Sequence, residues 1–457
     1  MHWKHPKSIY CRKVHFPICH LRSGAIFFTI ILLTGFFPGP IRAFASTNAV
    51  PQLLTLRQAR DLALHHHPDI AAADYRALAA QEQLKETRAG FYPQANLYGN
   101  AVGATSEDAR ILAGGLNNPT IYNRVAAGAT VSQLITDFGH RANLVASSRY
   151  QSKAAEENAV ATREQVLLQV EVDYLGALQA QAVLNVARQT LETRSLLLDQ
   201  VQTLATNRLK SELDVSFAQV AFQQAKLLLE KSTNDFTAAI ASLSTALGYS
   251  EPRTFVLVEP DSAASDIVGA EADLVETALS QRPELISLRD QGIAAGKAAK
   301  AQRDARLPVL SAFGAAGNSP SHDYHLPNDY AVGGFELSFP LFAGGYYVAK
   351  QHEAELQSEA ADEVLQSLEN DVVRDVHIAW LNVNNAREEV KTTEDLVLNA
   401  EQAYQLAEAR YKIGSSSIVE LSDAQLNLTS SQITHTTARY NFLIQQANLN
   451  YQIGALH

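Results

Sequence analysis

No proline occurs between Pro119 and Pro252, and none after Pro340. A proline inside a helix costs about 3 kcal/mol, so two proline-free stretches of this length are what very long helices require. Each stretch carries a seven-residue ladder. In the first, Val170, Ala177, Leu184, Leu191, Leu198 and Ala205 repeat in step; in the second, Val376, Val383, Val390, Val397, Tyr404 and Tyr411 do. Sustained heptads predict helices packed as coiled coils. The segment from Arg141 to Ala205 alone would extend about 100 Å at 1.5 Å per residue, deeper than a globular core, and so predicts a projecting rod or tube.

The two ladders lie 206 residues apart and belong to a duplication of the whole chain. Val215, Phe222, Leu229, Phe236 and Leu243 answer Leu421, Leu428, His435, Phe442 and Leu449, and the copies close on Leu247-Gly248 and Ile453-Gly454. Nearer the N-terminus the offset is 215: Pro68 and Pro93 match Pro283 and Pro308. The nine extra residues of copy one fall between Pro93 and Val131, where a loop would absorb them. Each helical stretch is interrupted once. Asn207 to Val215 breaks the first, with Ser211 able to cap the returning helix. In the second, Gly414 followed by Ser415, Ser416 and Ser417 reads as a stop and restart.

The first 45 residues stand apart. Basic residues precede an apolar run from Gly24 to Phe37, and Ala43-Phe44-Ala45 offers small residues for cleavage, which predicts a signal peptide over 1–45. It takes six of the 37 basic residues and none of the 48 acidic ones, leaving a balance of −17 that argues against nucleic acid as a partner. Both cysteines, Cys11 and Cys19, leave with it, so neither a disulfide nor an N-terminal lipid anchor is expected. No later segment is apolar enough for a spanning helix, so entry into a membrane requires strands.

Candidate strands precede each long helix. Ala95–Ala101, Ile121–Val131 and Ala331–Leu341 alternate with period two, and Val309–Phe313 is a weaker fourth. Segments of about ten alternating residues mark a membrane barrel, and Tyr92, Phe339, Phe342, Tyr346 and Tyr347 stand where an interfacial belt would lie. Four strands cannot close a barrel, whereas three chains would supply twelve. The expected boundaries are a first repeat over 46–250, with strands about 92–135 and helices about 139–205 and 212–247. A linker follows over 251–270. The second repeat covers 271–457, with strands about 308–341 and helices about 345–411 and 417–453. Ala104–Thr120 and Ser319–Asn328 read as loops on the outer cell surface.

At this point the residues resemble a known family, the TolC-like outer-membrane efflux proteins, over essentially all of 50–457. The resemblance is most specific at Tyr411-Lys-Ile-Gly414, Ile418-Val419-Glu420, Asp423-Ala424 and Ala438 to Ile444. Ser211-Glu212-Leu213-Asp214-Val215, Leu134–Arg141 and Pro340–Gly345 are similar to further family motifs. It implies a homotrimer with a 12-strand outer-membrane β-barrel continued by a 12-helix periplasmic α-barrel. Its passive duct would be driven by an inner-membrane transporter and met at its tip by a periplasmic adaptor protein. No cofactor or metal is implied. Two departures stand out: Arg208 replaces the family's first turn glycine, and Ser416 stands where a cation often sits.

In a trimer Asp214, Glu420 and Asp423 would each occur three times around the axis, as a carboxylate ring selective for cations; as helix-start acids they would simply favour the helix dipole. Arg208, Lys210, Ser211, Leu213, Tyr411, Gly414, Ser416 and Ser417 make up the tip turns and the adaptor contact, with Arg208 or Lys210 supplying the cation absent at Ser416. His65-His66-His67 reads as a surface or capping segment ended by Pro68, His322 and His325 as loop residues, and His435 as a polar interruption of the ladder. No nucleophile–base pair, phosphate loop or ligand cluster argues for an enzyme. The alternative is a soluble periplasmic coiled-coil scaffold or adhesin stalk without a pore. It leaves the alternating segments unexplained.

Overall fold

The computed structural model describes residues 52–102, 124–260, 270–321 and 327–456. The signal segment, the Ala104–Thr120 loop, His322 and His325 lie outside them. The chain runs β1 (Gln52–Leu54), α1 (Leu56–His66), α2 (Pro68–Ala89), β2 (Gln94–Val102), β3 (Arg124–Thr136), α3 (His140–Thr206), α4 (Glu212–Ala246) and β4 (Phe255–Leu257). It continues with α5 (Glu271–Gln281), α6 (Pro283–Asp304), β5 (Val309–Ser321), β6 (Asp329–Ser338), α7 (Tyr346–Lys412) and α8 (Ile418–Gln452).

In the helices the duplication is kept residue for residue. Adding 215 to the bounds of α1 and α2 gives those of α5 and α6; adding 206 to α3 and α4 gives α7 and α8. Backbone conformation repeats with it. The described residues with left-handed φ form four pairs 206 apart: Phe138 with Gly344, Gly139 with Gly345, Arg208 with Gly414, and Gly248 with Gly454. Gly248 and Gly454 close the repeats against α1 and α5. A Cβ added at Gly248 would stand 2.7 Å from the His66 carbonyl oxygen, and at Gly454 3.2 Å from the Gln281 carbonyl carbon.

α3 and α7 each span 67 residues, about 100 Å of helix. The ladder residues Val170, Ala177, Leu184, Val376 and Val383 are buried. One core gathers Val170, Tyr174 and Leu243 with Leu54 of β1 and Phe255 of β4; its counterpart gathers Leu274, Leu285, Val376 and Leu449. A third core, with Leu198, Val201, Ile418 and Leu421, lies at the hairpin turns.

Pro68 does not end its segment, as the sequence reading had it, but opens α2 at the first helical position, where its missing N–H is no loss. His67 caps that helix, its Nδ1 accepting from the Asp69 amide at 3.2 Å. The sequence reading assigns no element to α1, α2, α5 or α6. α2 packs against α3, and α6 lies between α3 and α7. The linker also holds a strand, since β4 pairs in parallel with β1, and the Tyr174 hydroxyl lies 2.8 Å from the Leu54 carbonyl oxygen.

β2-β3-β5-β6 form one antiparallel sheet. β5 runs through Ser321, and the Ser319 amide bonds the Asn328 carbonyl at 2.7 Å, so the ladder intrudes into the stretch read as a loop from Ser319. Asn318 and Asp329, paired in register and joined side chain to side chain at 2.7 Å, carry it there. Among the described residues β2 and β6 each pair on one side only. Leu97, Phe335 and Leu337 stand exposed on the sheet. Among the described residues no helix is long and apolar enough to cross a membrane.

Candidate functional site

The two helical turns are built alike. After α3, the Leu209 amide bonds the Leu204 carbonyl at 2.9 Å; after α7, the Ser415 amide bonds the Arg410 carbonyl at 2.9 Å. This six-to-one closure needs a left-handed residue, which is Gly414 at φ 77 in one copy and Arg208 at φ 60 in the other. The departure at Arg208 therefore leaves the turn geometry intact and adds about 1–2 kcal/mol of steric cost. Ser211 and Ser417 then cap α4 and α8, accepting from the Asp214 and Glu420 amides at 3.2 Å each.

The acids differ in their company. Asp214 closes a capping box: one carboxylate oxygen accepts from the Ser211 amide at 3.0 Å and its hydroxyl at 2.9 Å. The Ser211 backbone bond holds Asp214 below the usual carboxylate range; burial opposes it, and the Ser211 hydroxyl and the Lys210 charge help. Glu420 reaches across its turn to Arg410 at 3.0 Å. Asp423 is exposed, and among the described residues neither hydrogen bond nor ion pair holds its carboxylate.

Lys210 and Arg208, expected to supply the cation absent at Ser416, form no ion pair among the described residues. The Lys210 ammonium sits 4.4 Å from the centre of the Tyr411 ring, a contact that joins the first turn to α7. Arg208 is exposed and forms no ion pair among the described residues. The cation at the second turn is Arg410, which the sequence reading missed. An arginine four residues before Gly414 and an acid six after it face each other once the chain reverses. Leu209, Leu213 and Ile413 give the turns an exposed apolar rim. Tyr411 is 9% exposed, and among the described residues neither its hydroxyl nor the Ser416 hydroxyl has a hydrogen-bond partner. Burial, and then the Asp214 charge, raises the Tyr411 phenol. Deeper in, Arg194 is 5% exposed and donates through one nitrogen to the Ser422 carbonyl at 3.2 Å.

Residues 59–249 and 274–455 match the family model described as outer membrane efflux protein, one block for each repeat. The chain belongs to that family. It is 26% identical over 419 residues to the outer membrane protein TolC of Vibrio cholerae serotype O1, covering 89% of this chain and 88% of that one. It is 24% identical over 434 residues to TolC of Escherichia coli K12, covering 91% and 85%. Among solved structures, a membrane protein from Pseudomonas aeruginosa superposes with a TM-score of 0.75 at 23% identity, covering 87% of this chain and 90% of that one.

Proposed function

We propose that this protein is the outer-membrane exit duct of a tripartite efflux pump or type I secretion system. Three copies join their sheets into a 12-strand barrel and their helical hairpins into a 12-helix periplasmic tube. The observation that carries this reading is the four-stranded sheet. Among the described residues its edge strands β2 and β6 each lack a partner on one side, and it exposes Leu97, Phe335 and Leu337. Unpaired backbone is not tolerated in lipid, so copies of the same sheet must close on one another. A soluble scaffold gives that sheet no role. The turns at Arg208 and Gly414 form the periplasmic tip, where an adaptor protein docks on the apolar rim. Asp214, Glu420 and Asp423 ring the entrance there, and an inner-membrane transporter drives passage.

The test is mass and conductance. Detergent-solubilised protein, with bound detergent subtracted in light scattering, is expected at the mass of three chains and to conduct in planar bilayers. A monomeric mass, or a trimer extracted without detergent, would overturn the reading.

A further inference from the structure

α6 lies antiparallel on α3. The Ser287 hydroxyl donates to the Ala154 carbonyl at 2.9 Å, and further along α6 the Ala301 carbonyl oxygen lies 2.8 Å from His140 Nδ1, nearer the start of α3. Along this contact Ser147, Ala154 and Glu164 of α3 are buried, as are Ser287, Ala294 and Ala301 of α6. The duplication supplies both surfaces a second time. Adding 206 to the α3 residues gives Glu353, Ala360 and Asn370 on α7; subtracting 215 from the α6 residues gives Ala72, Ala79 and Glu86 on α2. Of these six, Ala72 is half-buried and the rest are exposed. Large side chains stand out beside them, Tyr75 of α2 at 72% exposed and Leu356 of α7 at 64%. Within the chain α2 packs on α3 and not on α7. Both halves of a contact made once inside the chain are therefore present again and uncovered. The sheet repeats the pattern independently. Hairpin register survives the same offsets, with Gln94 opposite Ser132 and Val309 opposite Ser338. β3 meets β5 with Ser132 opposite Phe313, and the offsets turn that pair into Ser338 of β6 and Tyr98 of β2, which lie on the two edge strands.

We infer that the open face of α7 docks α2 of a second copy of this chain, antiparallel, with Ala360 against Ala72 and Glu353 against Ala79 of the next copy, as α3 receives α6. The two surfaces differ, so the contact is head-to-tail and closes into a ring. Charge fits the same register: Glu82 comes level with Lys350 of the next copy. Each is now held only by an exposed pair in its own helix, with Lys85 at 2.7 Å and Glu353 at 2.9 Å, and such pairs are exchanged at little cost. The inference deepens the duct reading and rests on it for the number of copies in the ring.

The test is disulfide trapping in the full-length protein, with Ala72→Cys and Ala360→Cys in one chain and, as a second pair, Ala79→Cys with Glu353→Cys. The sequence has only Cys11 and Cys19, both in the expected signal segment, and the unsubstituted protein sets the background. After oxidation in native membranes, a non-reducing denaturing gel is expected to show covalent dimers and trimers that thiol returns to single chains. Their rate should fall within about tenfold of that for the counterpart pair inside the chain, Ser287→Cys with Ala154→Cys, since disulfides need Cβ atoms about 4 Å apart. Ala72→Cys with Ser367→Cys moves one partner about 10 Å along α7 and should react about tenfold more slowly or less. Ala72→Cys or Ala360→Cys alone should give no dimer, because unlike surfaces meet. A three-chain mass by light scattering without the ladder in either pair, an equal rate in the shifted pair, or dimers from a single variant would overturn the inference and leave the duct reading standing. A monomeric mass would overturn both.

Discussion

Arg208 shows how a repeat imposes backbone on a residue that would not choose it. Its partner Gly414 adopts the left-handed conformation freely, whereas Arg208 must bring its Cβ close to the following carbonyl oxygen. The Leu209–Leu204 bond and the Ser211 cap on either side hold it there. Replacing Arg208 with glycine removes the clash but frees the unfolded chain, for a net gain of about 0.5–1 kcal/mol. Amide exchange over 205–211 is therefore expected to slow two- to fivefold in Arg208→Gly. Unchanged or faster exchange would mean the arginine side chain contributes more than its backbone costs.

Among the elements, the junction of α3, α6 and α8 holds a buried ionisable group with a strongly raised pKa. Glu164 of α3 is 3% exposed, and its pKa is pushed up to about 7, chiefly by burial and then by the Glu284 charge, with Arg282 opposing and Glu157 adding to the rise. Glu284 is held by Arg282 at 3.3 Å and by the Tyr451 hydroxyl at 3.1 Å. Burial and the Glu284 charge drive that phenol up to about 12. A carboxyl with a raised folded-state pKa keeps its proton in the native state between about pH 4.5 and 7, while the unfolded chain releases it. This group's contribution to stability therefore falls as pH rises through that window and is level above it. Glu164→Gln should flatten the slope and stabilise the protein at pH 8 by up to about 3 kcal/mol. Thermal melts followed by helical circular dichroism between pH 5 and 8 would refute this if the wild-type and variant profiles run parallel.

At the level of the whole molecule, the proposed trimer would give the tip acids their effect through symmetry. Exposed ion pairs such as Arg410–Glu420 are worth about 0–1 kcal/mol each, so in the proposed trimer a closed tip would have to rest on many contacts repeated around the axis. Asp214 has a capping duty that alanine would destroy, so asparagine is the cleaner substitution: it removes charge and keeps an acceptor for the Ser211 amide. In planar bilayers, Asp214→Asn with Asp423→Asn is expected to reduce cation selectivity and block by multivalent cations while the trimer persists. Wild-type selectivity in the double variant would leave these acids with a helix-start role only, and would place the gate elsewhere.

What could be read from the sequence was what depends on neighbours along the chain. The proline-free stretches and heptads announce long helices because both operate through local backbone chemistry, and Ser211 and Ser417 announce helix starts for the same reason. α1, α2, α5 and α6 carry local signals too, in the Thr55–Gln58 capping box and in Pro68 and Pro283 at first helical positions, but the sequence reading uses the two prolines as register marks, with Pro68 also as a segment end, and makes no use of the capping box. Other features had no local signal. β1 and β4 are three residues each, and only their meeting across some 200 residues makes them strands. The Lys210 contact with Tyr411, the burial of Arg194 beneath Ser422 and the crowding of Glu164 by Glu284 depend on which helix faces meet. Heptad spacing says that a face is buried. It does not say against what, and the unmet donors at the tip follow from that second choice, which only tertiary packing makes.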